Sequence, residues 1–360
     1  MMYNRLMKQN YNLFEDRLRT INVLKKKSEN FEYEITNEDL IFVENCIICE
    51  SKIFDVLVDV YYQKKLNFNR LVRCKNCSFI YRKISPSLNW FEKCWKKIAS
   101  DDVIVFNEDI EKIRIQRYEN YCSLIKKYIS GNKILDIGSA YGSGANVFKN
   151  AGFDIDCIEA EDNKANYISK FYNLPVVSRT IENYEQNIQY DGILFSHCLE
   201  HVDKPKNILC KIFNIMKDDG VLYLEVPLLS NSMYWFEALY ITHKNYFTEY
   251  NLTELLNTHN FEIIEYQYTK ESENGPEHFG LLLKKNKNNH NIIFEKQTHT
   301  KNEILDLVFK NFPISPSPFV NNTFSYNVDK IDHFYQTIRL DKNILTYNSL
   351  DNMYDFKDKN

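Results

Sequence analysis

The sequence contains no apolar run near the ~18 residues that a bilayer-spanning helix needs, so no helical membrane span is expected. Its opening residues, MMYNRLMKQNYNLFEDR, lack an apolar signal core, and no export is expected. Charge imbalance is small as well. With 45 Lys and Arg against 49 Asp and Glu, the net charge is −4, which argues against a dedicated nucleic-acid coat and leaves a local basic patch open. Glycine and proline are scarce, nine and eight in 360 residues, while Asn, Lys, Ile, Tyr and Phe are abundant. That bias reads as genomic base composition rather than function. No repeat or low-complexity tract is visible. What is present, 44% hydrophobic and 26% charged residues, is ordinary for a soluble globular protein of two or three domains. Nine cysteines, several inside apparent core segments, suit a reducing cytoplasm.

Hydrophobic spacing organises the chain. Met7, Tyr11, Phe14, Leu18 and Ile21 predict a helix over 3–27 with one apolar stripe, docked on its own chain or on a second copy. Ile110, Ile113, Tyr118, Tyr121, Cys122, Ile125 and Ile129 predict another over 108–130, ended by Gly131 and Asn132. From 133 onward strands (133–137, 153–159, 175–178, 192–197, 221–226) alternate with helices (143–151, 163–172, 181–187, 204–216), the pattern of parallel βαβ units with helices on both faces. A helix over 248–258 precedes two strands, 261–268 and 279–285, joined by KESENGPEH as an antiparallel hairpin. Beyond 286, KNEILDLVFKNF and DKIDHFYQTIRL read as helices around a PISPSP loop, with too many aromatics for disorder.

The turn in KILDIGSAYGSGANVFK (133–149) is built to hold a ligand. No Gly-Lys-Ser/Thr follows it, so it is not the phosphate loop of NTPases, and its glycines do not fit G-x-G-x-x-G. Asp136 ends the strand just ahead of the turn; a carboxylate there would repel pyrophosphate and suits a cationic amino group. Glu159 lies 23 residues on, where an acidic residue reaches a ribose diol. Thr180 and Ile181, after the third strand, could border a flat base. A ribose, a base and a cation without phosphate describe S-adenosylmethionine. An unliganded turn is the plainer alternative. An NAD-dependent oxidoreductase fits Glu159 but neither Asp136 nor the glycine spacing.

At these residues the chain resembles the class I S-adenosylmethionine-dependent methyltransferases. ILDIGSAYGSGA looks like their first motif, with Ala140 where a glycine is usual. YDGILFSHCLEHVDKPKNIL (190–209), MKDDGVLYLEVP (216–227) and HKNYFTEYNLTELLNTHNFEII (243–264) resemble later motifs of one branch, in order and in register over 133–284. The resemblance implies an α/β fold: a Rossmann-like, doubly wound, mostly parallel seven-stranded sheet with an antiparallel last hairpin, plus an N-terminal zinc ribbon. It implies cofactor contacts from Asp136, Gly138, Ser139, Gly142, Glu159, Ala160, Thr180, Ile181 and His197. The expected organisation is a helical segment (1–43), a zinc-binding module (44–100), the methyltransferase domain (101–285) and an extension (286–360).

Cys46-x-x-Cys49 and Cys74-x-x-Cys77 are two pairs 24 residues apart. Each can present two thiolates from one tight turn, and together they predict a closed, structural zinc site of four thiolates with a hairpin at 53–73. Redox disulfides or coincidence are the alternatives. Of the other cysteines (Cys94, Cys122, Cys157, Cys198 and Cys210), Cys157 and Cys198 are expected as buried thiols. CIICESK…LVRCKNCSFIYRKISP is similar to a zinc module of the branch that includes sugar, surface-polysaccharide and secondary-metabolite methyltransferases. That resemblance implies a small-molecule or glycan acceptor, including nucleotide-linked sugars.

For a hydroxyl acceptor a base near neutrality is needed, which points to histidine. His197 ends the fourth strand, at the carboxyl edge where open α/β sheets bind ligands, and His201 follows it. By resemblance His243 is the foremost base and His197 lies near the cofactor, while His201 could instead hold the Glu200 turn together. His259 reads as a capping or surface residue. A rival reading uses the seven Lys and Arg of 64–83, with Phe68, Phe79 and Tyr81 between them, to bind RNA on a non-catalytic scaffold.

Overall fold

The structure is a computed structural model that describes residues 37–62, 67–87, 89–90, 108–185, 187–229, 243–270 and 277–286, with short pieces at 292, 294–296, 323–326 and 336–339. The expected 3–27 helix and KNEILDLVFKNF lie outside the described residues.

Two sheets make up the fold of the described residues. In the first, β1 (Leu40–Phe42) is followed by the meander β2 (Phe54–Tyr62), β3 (Asn67–Cys74) and β4 (Ile80–Pro86). The hairpin expected between the cysteine pairs is β2–β3. β1 covers only the far end of the β4 edge, from Leu40↔Pro86 to Phe42↔Ile84.

The second sheet begins after α1 (Glu108–Ile125) with β5 (Lys133–Ile137), α2 (Ser143–Asn150) and β6 (Asp154–Ile158). It continues through α3 (Asp162–Tyr167), which runs on as a π-helix (Ile168–Tyr172), then β7 (Val176–Ser178), β8 (Tyr190–Ser196), α4 (Pro205–Ile215) and β9 (Met216–Pro227). β10 (Asn245–Tyr246), α5 (Glu249–Asn257), β11 (Phe261–Lys270) and β12 (Glu277–Lys285) follow. The strand order is β11-β12-β9-β8-β5-β6-β7, and β12 runs antiparallel to both neighbours. This is the mostly parallel seven-stranded sheet with its hairpin, as expected.

Local chemistry sets the helix ends. Thr248 caps α5 by accepting the Asn251 N–H at 3.2 Å, and Pro205 opens α4 where its missing N–H costs nothing. α1 stops five residues short of its expected end. There Lys127 and Tyr128 bond back to Leu124 and Ile125, a tightened turn that closes the helix. Tyr118, Tyr121, Cys122 and Ile125 form its buried face, while Ile113 is 45% exposed and off the stripe.

Two expected helices are absent from the described residues. The described part of 181–187 is a turn: Thr180 Oγ1 takes the Asn183 N–H at 3.3 Å, and the Tyr184 hydroxyl meets that of Tyr190 at 2.8 Å, drawing the chain toward β8. Within DKIDHFYQTIRL, β14 (Gln336–Arg339) is a strand between β2 and β13 (Thr323–Tyr326). Its backbone continues the sheet beyond β2, from Gln336↔Tyr62 to Arg339↔Asp59.

The two sheets share a core. One buried cluster joins Cys46, Val72, Phe79 and Tyr81 of the first sheet to Phe247, Leu252 and Leu256 of the second unit. A second cluster seals the other face under α1 and α2. β10 adds to β4 antiparallel (Asn245↔Tyr81, Tyr246↔Ile80), beside β1 on the same edge. No helix among the described residues is long and apolar enough to cross a membrane.

Candidate active site and cysteine cluster

The glycine turn leaves β5 and is pinned to the next strand, since Gly138 and Ser139 both donate to the Ile158 carbonyl, at 2.9 and 3.1 Å. Gly138 has φ +83°, and a Cβ there would sit 2.3 Å from Cys198 Sγ, so only glycine fits. Ala140 takes φ 49°, left-handed backbone that costs an alanine roughly 1–2 kcal/mol. The turn therefore keeps its shape without the usual glycine.

Asp136 is fully buried at the end of β5. Its Oδ1 accepts from the Tyr118 hydroxyl at 3.0 Å, while Oδ2 is buried without a hydrogen-bond partner. Burial pushes its carboxyl up to about 6, against the Tyr118 and Ser139 hydrogen bonds. Glu159 is held by two backbone donors, Ala140 N–H to Oε2 at 2.7 Å and Glu161 N–H to Oε1 at 2.9 Å, and burial raises it too. Two buried acids, one with an unsatisfied oxygen, fit a ligand that brings a cation and hydroxyl donors, as S-adenosylmethionine does. Ala160 is exposed beside them, Thr180 is buried with its hydroxyl in the turn, and Ile181 is buried in the core. Gly142, with φ 80°, opens α2.

The three candidate histidines gather at the carboxyl edge of the sheet. His197 follows β8 in a left-handed conformation, φ 54°. Its Nε2 bonds Glu225 Oε1 at 3.1 Å and its Nδ1 lies 3.7 Å from Glu200 Oε1. Burial disfavours its charge, but Glu200 and Glu225 outweigh that and raise it to about 9. Glu225, on β9, also accepts from Tyr121 and Tyr223, each at 2.7 Å. Burial opposes its charge, yet His197 and the tyrosines hold it down to about 2. His243 is different. It is 7% exposed, its ring centre lies 4.7 Å from that of His201, and burial followed by the His201 charge lowers it to about 3. That lowering runs against the near-neutral base expected of this residue. Its main chain is held from two sides: Arg82 on β4 donates to the His243 carbonyl, and the next N–H, of Lys244, donates to the Glu200 carbonyl at 2.7 Å.

Residues 113–266, less than half of the chain, match a family described as a methyltransferase domain. Among curated proteins, (S)-coclaurine N-methyltransferase of Papaver somniferum is 30% identical over 132 residues, 33% of this chain and 36% of the relative. The match thus spans about a third of that relative's length. Among solved structures, the 1,6-didemethyltoxoflavin-N1-methyltransferase of Burkholderia thailandensis aligns with 52% of this chain and 93% of its own, at 16% identity and TM-score 0.39. A methyltransferase of Clostridium acetobutylicum aligns with 55% and 98%, at 12% identity and TM-score 0.40.

Against the methyltransferase domain sits the cysteine cluster. One sulfur from each of Cys46, Cys49, Cys74 and Cys77 lies within 4.8 Å of the others, with Cys46–Cys77 and Cys49–Cys74 both at 3.5 Å. A tetrahedral zinc with Zn–S bonds of about 2.3 Å sets sulfurs roughly 3.8 Å apart, so the set fits that ion. The Cys77 thiol hydrogen-bonds Cys46 and lowers it to about 6 despite burial, a thiolate ready for a cation. The cluster also touches the methyltransferase domain: Asn251 Nδ2 donates to the Cys77 carbonyl at 3.1 Å, and the Phe79 and Phe247 rings pack 5.5 Å apart.

Much of the basic run 64–83 is committed to the fold. Arg82 is 1% exposed, Arg73 and Lys75 pair with Asp55 at 3.0 and 3.3 Å, and Lys83 donates to the Glu44 carbonyl at 2.6 Å. Trp235, Phe236 and Tyr240, aromatics of the stretch after β9, lie outside the described residues, as does Cys94. Cys157 is buried as expected, Cys198 is half-buried, and His259 caps α5 through the Leu255 carbonyl at 2.7 Å.

Sequence reading missed four partners: Tyr118 on Asp136, Tyr121 and Tyr223 on Glu225, and Glu225 itself. A signal existed for Glu225, a lone charge in the apolar run VLYLEVP. The tyrosines read only as core, since their spacing carries no record of what the hydroxyl meets.

Proposed function

We propose that the protein uses S-adenosylmethionine to methylate a small-molecule acceptor, foremost a sugar or glycan hydroxyl, in the cytoplasm, as part of surface-polysaccharide or related biosynthesis. The observation that carries this reading is the pairing of two environments on one sheet edge. A buried carboxylate with an unsatisfied oxygen, Asp136, lies beside the glycine turn and would take the donor, and a buried imidazole, His243, would face the acceptor. The donor supplies an electrophilic methyl group. Asp136 would hold its amino group and Glu159 its ribose hydroxyls. His243 accepts the acceptor's proton, so that the oxygen can attack. The four clustered cysteines would hold a structural zinc that keeps the segment beginning at His243 in place. The sugar acceptor rests on the likeness of the cysteine module to that of sugar and polysaccharide methyltransferases.

The test is direct. Zinc-loaded protein is titrated with S-adenosylmethionine by calorimetry, then incubated with methyl-labelled donor and a panel of UDP- and GDP-linked hexoses. Binding and a singly methylated sugar by mass spectrometry are expected. Absence of donor binding overturns the reading; donor binding with transfer only to amines or other small molecules overturns the sugar assignment alone.

A further inference from the structure

Glu200 is more deeply buried than the histidines around it, at 1% exposure. It sits in the turn after β8, between His197 and His201. Its Oε1 lies 3.7 Å from His197 Nδ1 and 3.8 Å from His201 Nε2, and its Oε2 is buried without a hydrogen-bond partner. Its main-chain carbonyl accepts the N–H groups of Lys244 (2.7 Å) and Asn245 (3.1 Å), the two residues that follow His243. One ligand atom from each of Glu200, His201 and His243 lies within 4.8 Å of the others. His201 keeps 37% of its side chain exposed, whereas His243 keeps almost nothing.

We propose that Glu200 is the positioning residue of a two-histidine proton path, holding His201 beside His243 so that a proton taken from the acceptor leaves through His201 to water. This rests on the methyltransferase reading and deepens it. The acceptor X–H bond breaks and an N–H forms on His243, while the X–H electron pair remains on X for the bond to the methyl carbon. The C–S pair leaves with the donor sulfur. The proton then moves from His243 to His201 and on to solvent, which restores both rings. His243 is 7% exposed and its ring centre lies 4.7 Å from that of the more exposed His201, so a proton it accepts can pass to water through His201. Glu200 stabilises the cation in transit from both sides of the turn. The charged groups facing the cluster are His197 with Glu225 from the sheet edge, Arg82 from β4, and the Lys244–Asp203 ion pair.

The same three side chains form a set that could coordinate a divalent cation, and the experiment separates the two. In the full chain, Glu200→Gln is expected to lower kcat for a UDP- or GDP-hexose by about 10–100-fold, with donor affinity within about twofold of the parent. His201→Ala is expected to lose as much and to regain activity as imidazole is added, a response that a merely structural residue would not give. Equal kcat in Glu200→Gln, or no imidazole rescue in His201→Ala, overturns the proposal. Metal content is read in parallel: two zinc ions per chain, one of them lost in Glu200→Gln, overturns the path in favour of a cation site. Histidine-ring NMR gives a readout free of turnover, with His201 and His243 signals expected to move in Glu200→Gln. Unmoved rings overturn the positioning role even if the parent methylates nothing, and an inactive parent with moved rings overturns only the methyltransferase reading.

Discussion

Arg82 donates its Nε–H to the main-chain carbonyl of His243, joining the cysteine-bearing sheet to the candidate base across 161 positions of sequence. Arg82 is 1% exposed, and its guanidinium lies over the Tyr246 ring, 5.7 Å from the ring centre. A charged hydrogen bond of this kind contributes about 1.5–3 kcal/mol. Replacing Arg82 with Met keeps the volume and removes the donor. The expected outcome is a kcat lowered about tenfold or more with S-adenosylmethionine affinity unchanged, since Asp136 lies on β5 and Glu159 just past the end of β6. Steady-state kinetics beside calorimetry checks it; an equal loss in both would mean that Arg82 supports the fold and not His243.

Asp136 carries a prediction with a sign. Its folded value, about 6, stands above its ordinary value of 3.8, so the ionised group costs stability that grows as pH rises from about 4 through 6. A cationic donor needs the ionised form. Affinity for S-adenosylmethionine is therefore expected to be greatest near pH 7, to fall toward tenfold per unit below about 6, and to fall again above about 8 as the donor's α-amino group loses its proton. Asp136→Asn should weaken donor binding by a hundredfold or more while raising Tm of the free protein at pH 7. Calorimetry across pH and thermal unfolding of the variant check both halves, and a destabilised variant would contradict the assignment.

The positions of Asp136, Gly138 and Glu159 around the turn were legible because they are local. Asp136, Gly138 and Glu159 fall at strand ends that periodicity alone locates, and the structure buries both acids beside the turn. The acceptor half was legible only as a list of histidines. The raising of His197 depends on Glu225 and Glu200, partners 28 and three residues away that meet it only after the sheet is assembled, and the lowering of His243 depends on burial and on His201. The failure at 181–187 has the same origin. A run with helical composition is held as a turn by Thr180 and by a tyrosine contact to β8. The attachment of β10 to β4 had no sequence signal, since a two-residue strand leaves no periodicity to read.

Metal removal should separate the two halves of the site. The Cys77 carbonyl accepts from Asn251, and Phe79 packs on Phe247, so the cluster braces the segment that begins at His243. One zinc per chain is expected by elemental analysis. Cys74→Ser, or a strong chelator, should lower stability by several kcal/mol, roughly 10 °C in Tm, and reduce turnover more than donor affinity. Zinc content of zero in active protein would remove the ion from the account.

His197 sets the alkaline limit. Its folded value, about 9, is above its ordinary value of 6.5, so its contribution is complete below about pH 6.5 and is lost as pH rises through 9. Glu200 and Glu225, both held to about 2, contribute in the opposite sense, with stability present above about 4.5 and lost as pH falls toward 2. The three together predict greatest stability between about pH 4.5 and 6.5 from this cluster. The ring is 27% exposed, so the shift is discounted for solvent to roughly 2–3 kcal/mol. His197→Gln removes the cation and leaves Glu225 with its two tyrosine donors. Urea unfolding of parent and variant should differ by that amount at pH 6 and by less than about 1 kcal/mol at pH 10, because the parent has by then lost the charge that the variant never had. A difference that is constant with pH would show that His197 contributes by packing on His278, 4.4 Å between ring centres, rather than by charge.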